Sequence, residues 1–224
     1  MEWVVGAYLS KDKVAYQEII NQVDQHNLNK EMFNLPTRFI AKIFVFRLMY
    51  GGSAYSYAKD PDFTFVSTSE KFWQKVIDKF YDKYTGLAQW HTKILQEVTQ
   101  TGQLVMPTGR IYTFERDKRG EWPITTIKNY PVQGLGADVM AMIRVSFMKR
   151  FKNANIPGYL VNTVHDSIVL DIPEASTKQV VQLFNSVFLD FPTNFHRFFG
   201  TKFDLPLRCE ISCGSNMKQL TEIV

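Results

Sequence analysis

RFIAKIFVFRLMYGG, residues 38–52, carries Arg38, Lys42, Phe46 and Tyr50 at steps of four, with Gly51 closing the run. A step of four turns a helix by roughly 400°, so these side chains follow one slowly drifting face about 18 Å long. The face runs from cation to aromatic. Two positive heads one turn apart suit a phosphate tail, and two rings further along suit a sugar and a flat base. One helix could therefore hold a nucleoside triphosphate. The same residues also read as an amphipathic core helix with snorkelling basic ends, and the segment alone carries both readings.

Around this helix, 224 residues permit one large domain or two small ones, and 45% hydrophobic content supplies a core. No run of about 18 uninterrupted apolar residues occurs, and MEWVVGAYLSKDK lacks the basic n-region and cleavage pattern of a signal peptide. These features predict a soluble, intracellular protein in the cytoplasm with no membrane partner. A net charge of +4 allows a polyanionic partner without demanding one. Cys209 and Cys213 have no further cysteine or nearby histidine to complete a zinc site, so free thiols are expected. No low-complexity tract or internal repeat is present, and most of the 18 Phe and 10 Tyr are predicted to be core.

Residues 14–25 are helical in pattern, and Asn34-Leu35-Pro36-Thr37 offers a cap for the Arg38 helix, which Gly51-Gly52-Ser53 stops. From Ser69 to Thr99 the spacing of Phe72, Val76, Phe80, Tyr84 and Leu87 predicts one long helix or two broken near Gly86. LVMPTGRIYTF, residues 104–114, reads as two strand arms about a Pro-Thr-Gly turn, and Arg116 to Gly120 as an exposed basic loop. A helix is expected from Asn129 to Phe151, where small residues in QGLGADVMAMI would let another backbone or a nucleic acid approach closely. A second helix is expected from about Ser176 to Phe188, and a last strand over Leu207 to Ser212. The class is α+β, with many helices and a small antiparallel sheet.

His165-Asp166-Ser167 puts a carboxylate at a tight bend between two β-rich arms, VNTV and IVLDI, which would hold it rigidly at the end of a sheet. An aspartate there is ordinarily a turn former. Beside a cationic triphosphate clamp it also reads as half of a metal-assisted phosphoryl-transfer site, in which Mg²⁺ bridges carboxylates and phosphates.

Taken together these motifs resemble family-A DNA polymerases, the DNA polymerase I class. Arg38-x3-Lys42-x3-Phe46-x3-Tyr50-Gly51 resembles motif B, the O-helix of the fingers, and Val164-His165-Asp166 resembles motif C. In family order, Glu2 to Ser10 is similar to the tail of motif A, Asp24-Gln25-His26 to an Asp-Ile-His element, and Asn129 to Gly134 to the helix beside motif C. The spacing from His26 to Arg38 is like that of phage replicative members. The resemblance covers nearly the whole chain and implies right-hand polymerase architecture: a palm remnant of motif A over 1–14, helical fingers over 15–115 and palm over 116–224, with thumb and exonuclease absent.

The resemblance also implies roles. His26, Arg38 and Lys42 would bind the triphosphate of an incoming dNTP, with Lys42 assisting as an acid toward pyrophosphate. Phe46 would pack on the sugar and discriminate against dideoxynucleotides, and Tyr50 would stack at the templating position. Glu2 would act as a steric gate against a ribose 2′-hydroxyl. Asn129, Gln133, His165 and Arg110 would contact primer-template DNA, and Asp166 would be one of two aspartates holding Mg²⁺.

Three departures qualify this. The second metal aspartate of the family lies five residues ahead of Glu2, before Met1, so the chain alone is expected not to polymerise DNA at a useful rate. Either a separate N-terminal polypeptide completes a split enzyme, with the uncovered palm edge making the lone chain sticky, or the sequence is a fragment of a longer one. Ser167 stands where most members have glutamate, and Thr125 where an arginine is common. The alternative function is a non-catalytic nucleotide- or DNA-binding module that retains the fingers.

Overall fold

The computed structural model describes residues 1–223. The backbone forms two compact units, one of Glu2–Leu135 and one of Gly136–Val224 with Met1.

The first unit holds seven helices and a hairpin: α1 Glu2–Ser10, α2 Lys13–Ile20, α3 Gln25–Met32, α4 Arg38–Met49, α5 Ala54–Lys59, α6 Glu70–Lys83, α7 Thr85–Thr101, then β1 Gln103–Val105 paired antiparallel with β2 Ile111–Thr113. Their starts are written in the sequence as side-chain caps. Thr37 accepts from the Ile40 N–H at the head of α4, Ser53 forms a capping box with Ser56 on α5, and Ser69 accepts from the Phe72 N–H of α6. The 14–25 pattern is not one helix. α2 ends at Ile20, Gln22 turns through φ 57°, and Asp24 caps α3.

The stretch from Ser69 divides into α6 and α7 at Tyr84, with Gly86 inside the first turn of α7. Asp12 explains the break. One of its carboxylate oxygens accepts from the Ala15 N–H of α2 at 2.9 Å, and the other from Gly86 and Leu87 at 2.7 and 3.2 Å. A single buried acid thus caps two helices, and a side chain at position 86 would strike its backbone.

The core of this unit is aromatic. Tyr57 lies 5.0 Å from Phe44 and 5.3 Å from Trp73 between ring centroids, and its hydroxyl donates to the Phe44 carbonyl at 2.8 Å. α4 buries Ile40, Ala41, Phe44, Val45, Leu48 and Met49 into it. Arg38 and Lys42 are exposed and Phe46 and Tyr50 half-buried. The helix thus buries an apolar face and carries the Arg38-to-Tyr50 row off it.

α8, Ile124–Asn153, runs from the first unit into the second. It starts five residues before the expected Asn129, because the Ile127 N–H already donates to the carbonyl of Pro123, a residue suited to a helix start. At Gly134 it is a side chain, the Tyr112 hydroxyl of β2, that takes the space of a Cβ.

In the second unit, β3 Tyr159–Val164 and β4 Ser167–Asp171 form an antiparallel hairpin, with an irregularity between Leu160 and Asn162. α9, Thr177–Phe199, continues well past Phe188, since Val187, Phe191 and Phe195 keep the buried four-residue spacing until Gly200 ends it at φ 68°. Phe147 of α8 stacks on Phe184 of α9 at 4.0 Å, and Phe191, Phe195 and Phe203 cluster beside them. The expected strand over 207–212 is not formed. Pairing starts at Ser212: Ser212–Cys213 pairs, as β5, with β6 Thr221–Glu222, and the Ile223 N–H donates to the Ile211 carbonyl at 2.8 Å, while residues 207–210 pair with no strand among the described residues. The architecture is α+β, with three separate two-stranded antiparallel sheets among the described residues where one small sheet is expected. Among the described residues no helix is long and apolar enough to cross a membrane.

Candidate nucleotide and nucleic-acid site

The loop between α3 and α4 folds the two helices so that His26 meets the basic end of α4. The His26 ring stands edge-on to Phe46, centroids 5.6 Å apart, and Lys42 Nζ lies 6.0 Å from the centre of the same ring. Arg38 Nε donates to Asp24 at 2.8 Å. Residues from Asp24 to Phe46 are thereby gathered into one patch with two exposed cations. His26 is buried, and its Nδ1 has no hydrogen-bond partner among the described residues. Burial, then the neighbouring Arg38 and Lys42, pull its pKa down to about 4 against the opposing pull of Asp24. At neutral pH it is therefore a neutral imidazole, and the positive charge of the patch comes from Arg38 and Lys42.

At the other end of α4, Tyr50 accepts a hydrogen bond from Gln133 Nε2 at 2.6 Å. Burial, then the carboxylate of Glu2, push its phenol up to about 12, so the ring stays neutral and fit to stack. Glu2 opens α1 and is half-buried beside this hydroxyl. Asn129 and Gln133 are one turn apart on α8 and share a face. Arg110 follows the β1–β2 turn and passes along α8 at Gly134. The first unit thus brings Glu2, Tyr50 and Gln133 together, with Asn129 and Arg110 alongside.

Asp166 and His165 form the two-residue turn between β3 and β4, His165 at φ 51°, and Ser167 Oγ donates to the Val164 carbonyl at 2.9 Å. The turn projects from arms with exposed side chains: Tyr159 is 77% and Val161 60% exposed. The Asp166 side chain is 59% exposed, with the Met1 amino group 4.0 Å away. As an exposed carboxylate it suits one oxygen position of a Mg²⁺ ion, which takes about six. Among the described residues no group of three or more His, Cys, Asp or Glu side chains is placed to hold a metal, so the donor set fits that ion only in part.

Sequence reasoning missed two acids and an arginine. Asp24 is read only as part of a motif and Asp12 is not singled out, although an Asp just ahead of a helical pattern is itself a capping signal. Arg47, in the same helix as Arg38, is committed elsewhere: it pairs with Asp60 and, at 2.7 Å, with Asp62.

The buried histidines give the first unit an acid limit. His91, buried next to Tyr81, is pulled down to about 3 by burial and then by Lys128. A histidine with a folded pKa below its ordinary value of about 6.5 contributes stability fully above that pH. The contribution is lost as pH falls toward the folded value, by up to about 1.4 kcal/mol per pH unit per group. Urea unfolding of the chain is expected to show a midpoint that is level above pH 7 and falls steadily from about 6.5 to 4. A level midpoint across that window would mean that both rings stay accessible to protons.

The family model for DNA polymerase family A matches residues 1–219. The chain is 24% identical over 218 residues to DNA polymerase I of Treponema pallidum (strain Nichols), covering 88% of this chain and 21% of that protein. It is 26% identical over 176 residues to the DNA polymerase of Mycobacterium phage D29, covering 75% and 27%. It therefore spans about a quarter of the length of these relatives. In fold it is similar to the POL domain of Pol1 from M. smegmatis, solved in complex with DNA primer-template and dNTP. The TM-score is 0.74 at 20% identity, over 92% of this chain and 36% of that one. With the match running over all but the last five residues, the chain belongs to DNA polymerase family A.

Proposed function

We propose that this chain is the fingers and most of the palm of a DNA-directed DNA polymerase, taking a dNTP and primer-template DNA and transferring a nucleotidyl group to the primer end. The observation that carries this is the row on α4. Arg38 and Lys42 are exposed on it while Phe46 and Tyr50 follow at the same spacing, off the buried face. The two cations bind the triphosphate, Lys42 donates a proton toward the leaving pyrophosphate, Phe46 packs on the sugar and Tyr50 on the nascent pair. Glu2 beside Tyr50 excludes a 2′-hydroxyl, while Asn129, Gln133, Arg110 and His165 orient the DNA. In this reading residues 1–14 are the remnant of motif A, 15–115 the fingers and 116–224 the palm.

Asp166 holds one ligand position of Mg²⁺, which when bound neutralises charge on the phosphate oxygens. The incomplete donor set supports a second carboxylate from an N-terminal polypeptide or preceding segment carrying the rest of motif A. Primer extension tests this. The chain alone is expected to be silent and the completed pair active, and Lys42→Ala to lower kcat/KM about 100-fold or more. Binding of dNTP and DNA with no extension by the completed pair would instead identify a non-catalytic binding module.

A further inference from the structure

We infer that Asp24 is a positioning residue for Arg38, holding its guanidinium by one edge so that the other faces the triphosphate. The inference rests on the triphosphate reading of α4.

The Asp24 carboxylate is fixed from four sides. One oxygen accepts from the backbone N–H groups of His26 and Asn27, both at 3.1 Å. The other accepts from Asn27 Nδ2 and from Arg38 Nε, both at 2.8 Å. Burial alone would raise the Asp24 pKa, but Arg38 and the two backbone donors outweigh it and hold the group below the usual carboxylate range. An acid so bound stays charged and still. Its helix is also anchored from below, since Asn29 accepts from Lys83 Nζ at 2.8 Å.

Arg38 is gripped only at Nε. Its Nη1 and Nη2 have no hydrogen bond or ion pair among the described residues, and the side chain is 53% exposed. Those two nitrogens form the edge that binds phosphate oxygens in a bidentate fork. A free arginine on a surface helix samples many rotamers, whereas one tied at Nε presents the fork in a single direction, which lowers the ordering cost of binding. A helix cap alone would need only the two backbone contacts. The Arg38 contact is additional, and it bridges 14 residues of sequence.

The test uses the full chain and dATP as probe. Asp24→Ser keeps an N-cap oxygen but cannot reach Arg38, and Asp24→Asn keeps cap and size without the charge. Equilibrium titration is expected to show dATP binding weakened about 5- to 10-fold in both variants. In an Arg38→Ala background the same substitutions should cost nothing further, because Asp24 acts through that side chain. The Arg38 Nε–H resonance, protected in the parent, should broaden or vanish in Asp24→Ser. If Arg38→Ala weakens dATP binding but the Asp24 variants bind as the parent does or more tightly, the positioning role fails and the triphosphate reading stands. If the same loss persists without Arg38, Asp24 is only a helix cap. If the parent does not bind dATP, or Arg38→Ala changes nothing, both inferences fall.

Discussion

Asp166→Ala in the completed enzyme is expected to cut nucleotidyl transfer by about 10³-fold or more while leaving dNTP and primer-template affinity within a few-fold. A loss of that size corresponds to about 4 kcal/mol of transition-state stabilisation. The asymmetry between rate and binding follows from where the residue sits. Asp166 is at the tip of a two-residue turn, 59% exposed, and no part of either hydrophobic core depends on it. Substitution at such a site changes stability by about 0.5 kcal/mol or less, so thermal unfolding should be superimposable on the parent. Arg38 and Lys42, which in the proposed reading bind the triphosphate, are on α4 and untouched. What is removed is the charged oxygen pair proposed to take one Mg²⁺ ligand position. Asp166→Asn keeps an oxygen without the charge and should fall close to alanine. Single-turnover extension with saturating dNTP measures the step directly, and a full rate in Asp166→Ala would remove this carboxylate from the chemistry.

The hairpin that carries Asp166 was readable because its signal is local: β-rich arms on either side of a turn. The α4 row was readable for the same reason, since a step of four fixes the face whatever the helix packs against. What the helix buries was also in the sequence, in Phe44, Val45 and Leu48, but the segment alone could not say that both faces would be used. Less legible were contacts between distant residues. Nothing in residues 10–14 announces that Asp12 will cap a helix starting at Thr85, so the sequence left open whether the helix breaks near Gly86, as it does at Tyr84. The small residues near Gly134 signalled close approach correctly and its partner wrongly, because a missing Cβ shows room but not who fills it. Element ends were misjudged where tertiary burial prolongs a helix, as in α9, or where a β-like sequence pairs with no strand among the described residues, as in residues 207–210.

The largest loss of stability is expected from Lys83→Met, at about 3–5 kcal/mol. Lys83 Nζ lies 2.8 Å from a Glu18 carboxylate oxygen, with only 9% and 7% of the two side chains exposed. Around them the Tyr84 hydroxyl donates to the other Glu18 oxygen at 2.8 Å, and Asn29 accepts from Lys83. Burial, then the Glu18 carboxylate, hold the Tyr84 phenol firmly in its protonated form, so it is a donor to that acid at every working pH. The methionine fits the volume and keeps most of the packing over the Tyr84 ring, 4.6 Å from the ammonium in the parent. The cost therefore comes from leaving a carboxylate in the interior with one donor where it had two. That argument makes a second measurement decisive. Glu18→Gln removes the stranded charge, so the double variant should recover more than half of the loss, giving a coupling energy of about 2 kcal/mol or more in urea titrations. Strictly additive losses would show that the lysine acts through packing alone. Domains of ordinary stability hold about 5–15 kcal/mol in all, so the single variant should also loosen the helix it anchors. Because α3 carries Asp24 and His26, hydrogen exchange at its N-terminal amides should rise in Lys83→Met before α6 itself unfolds.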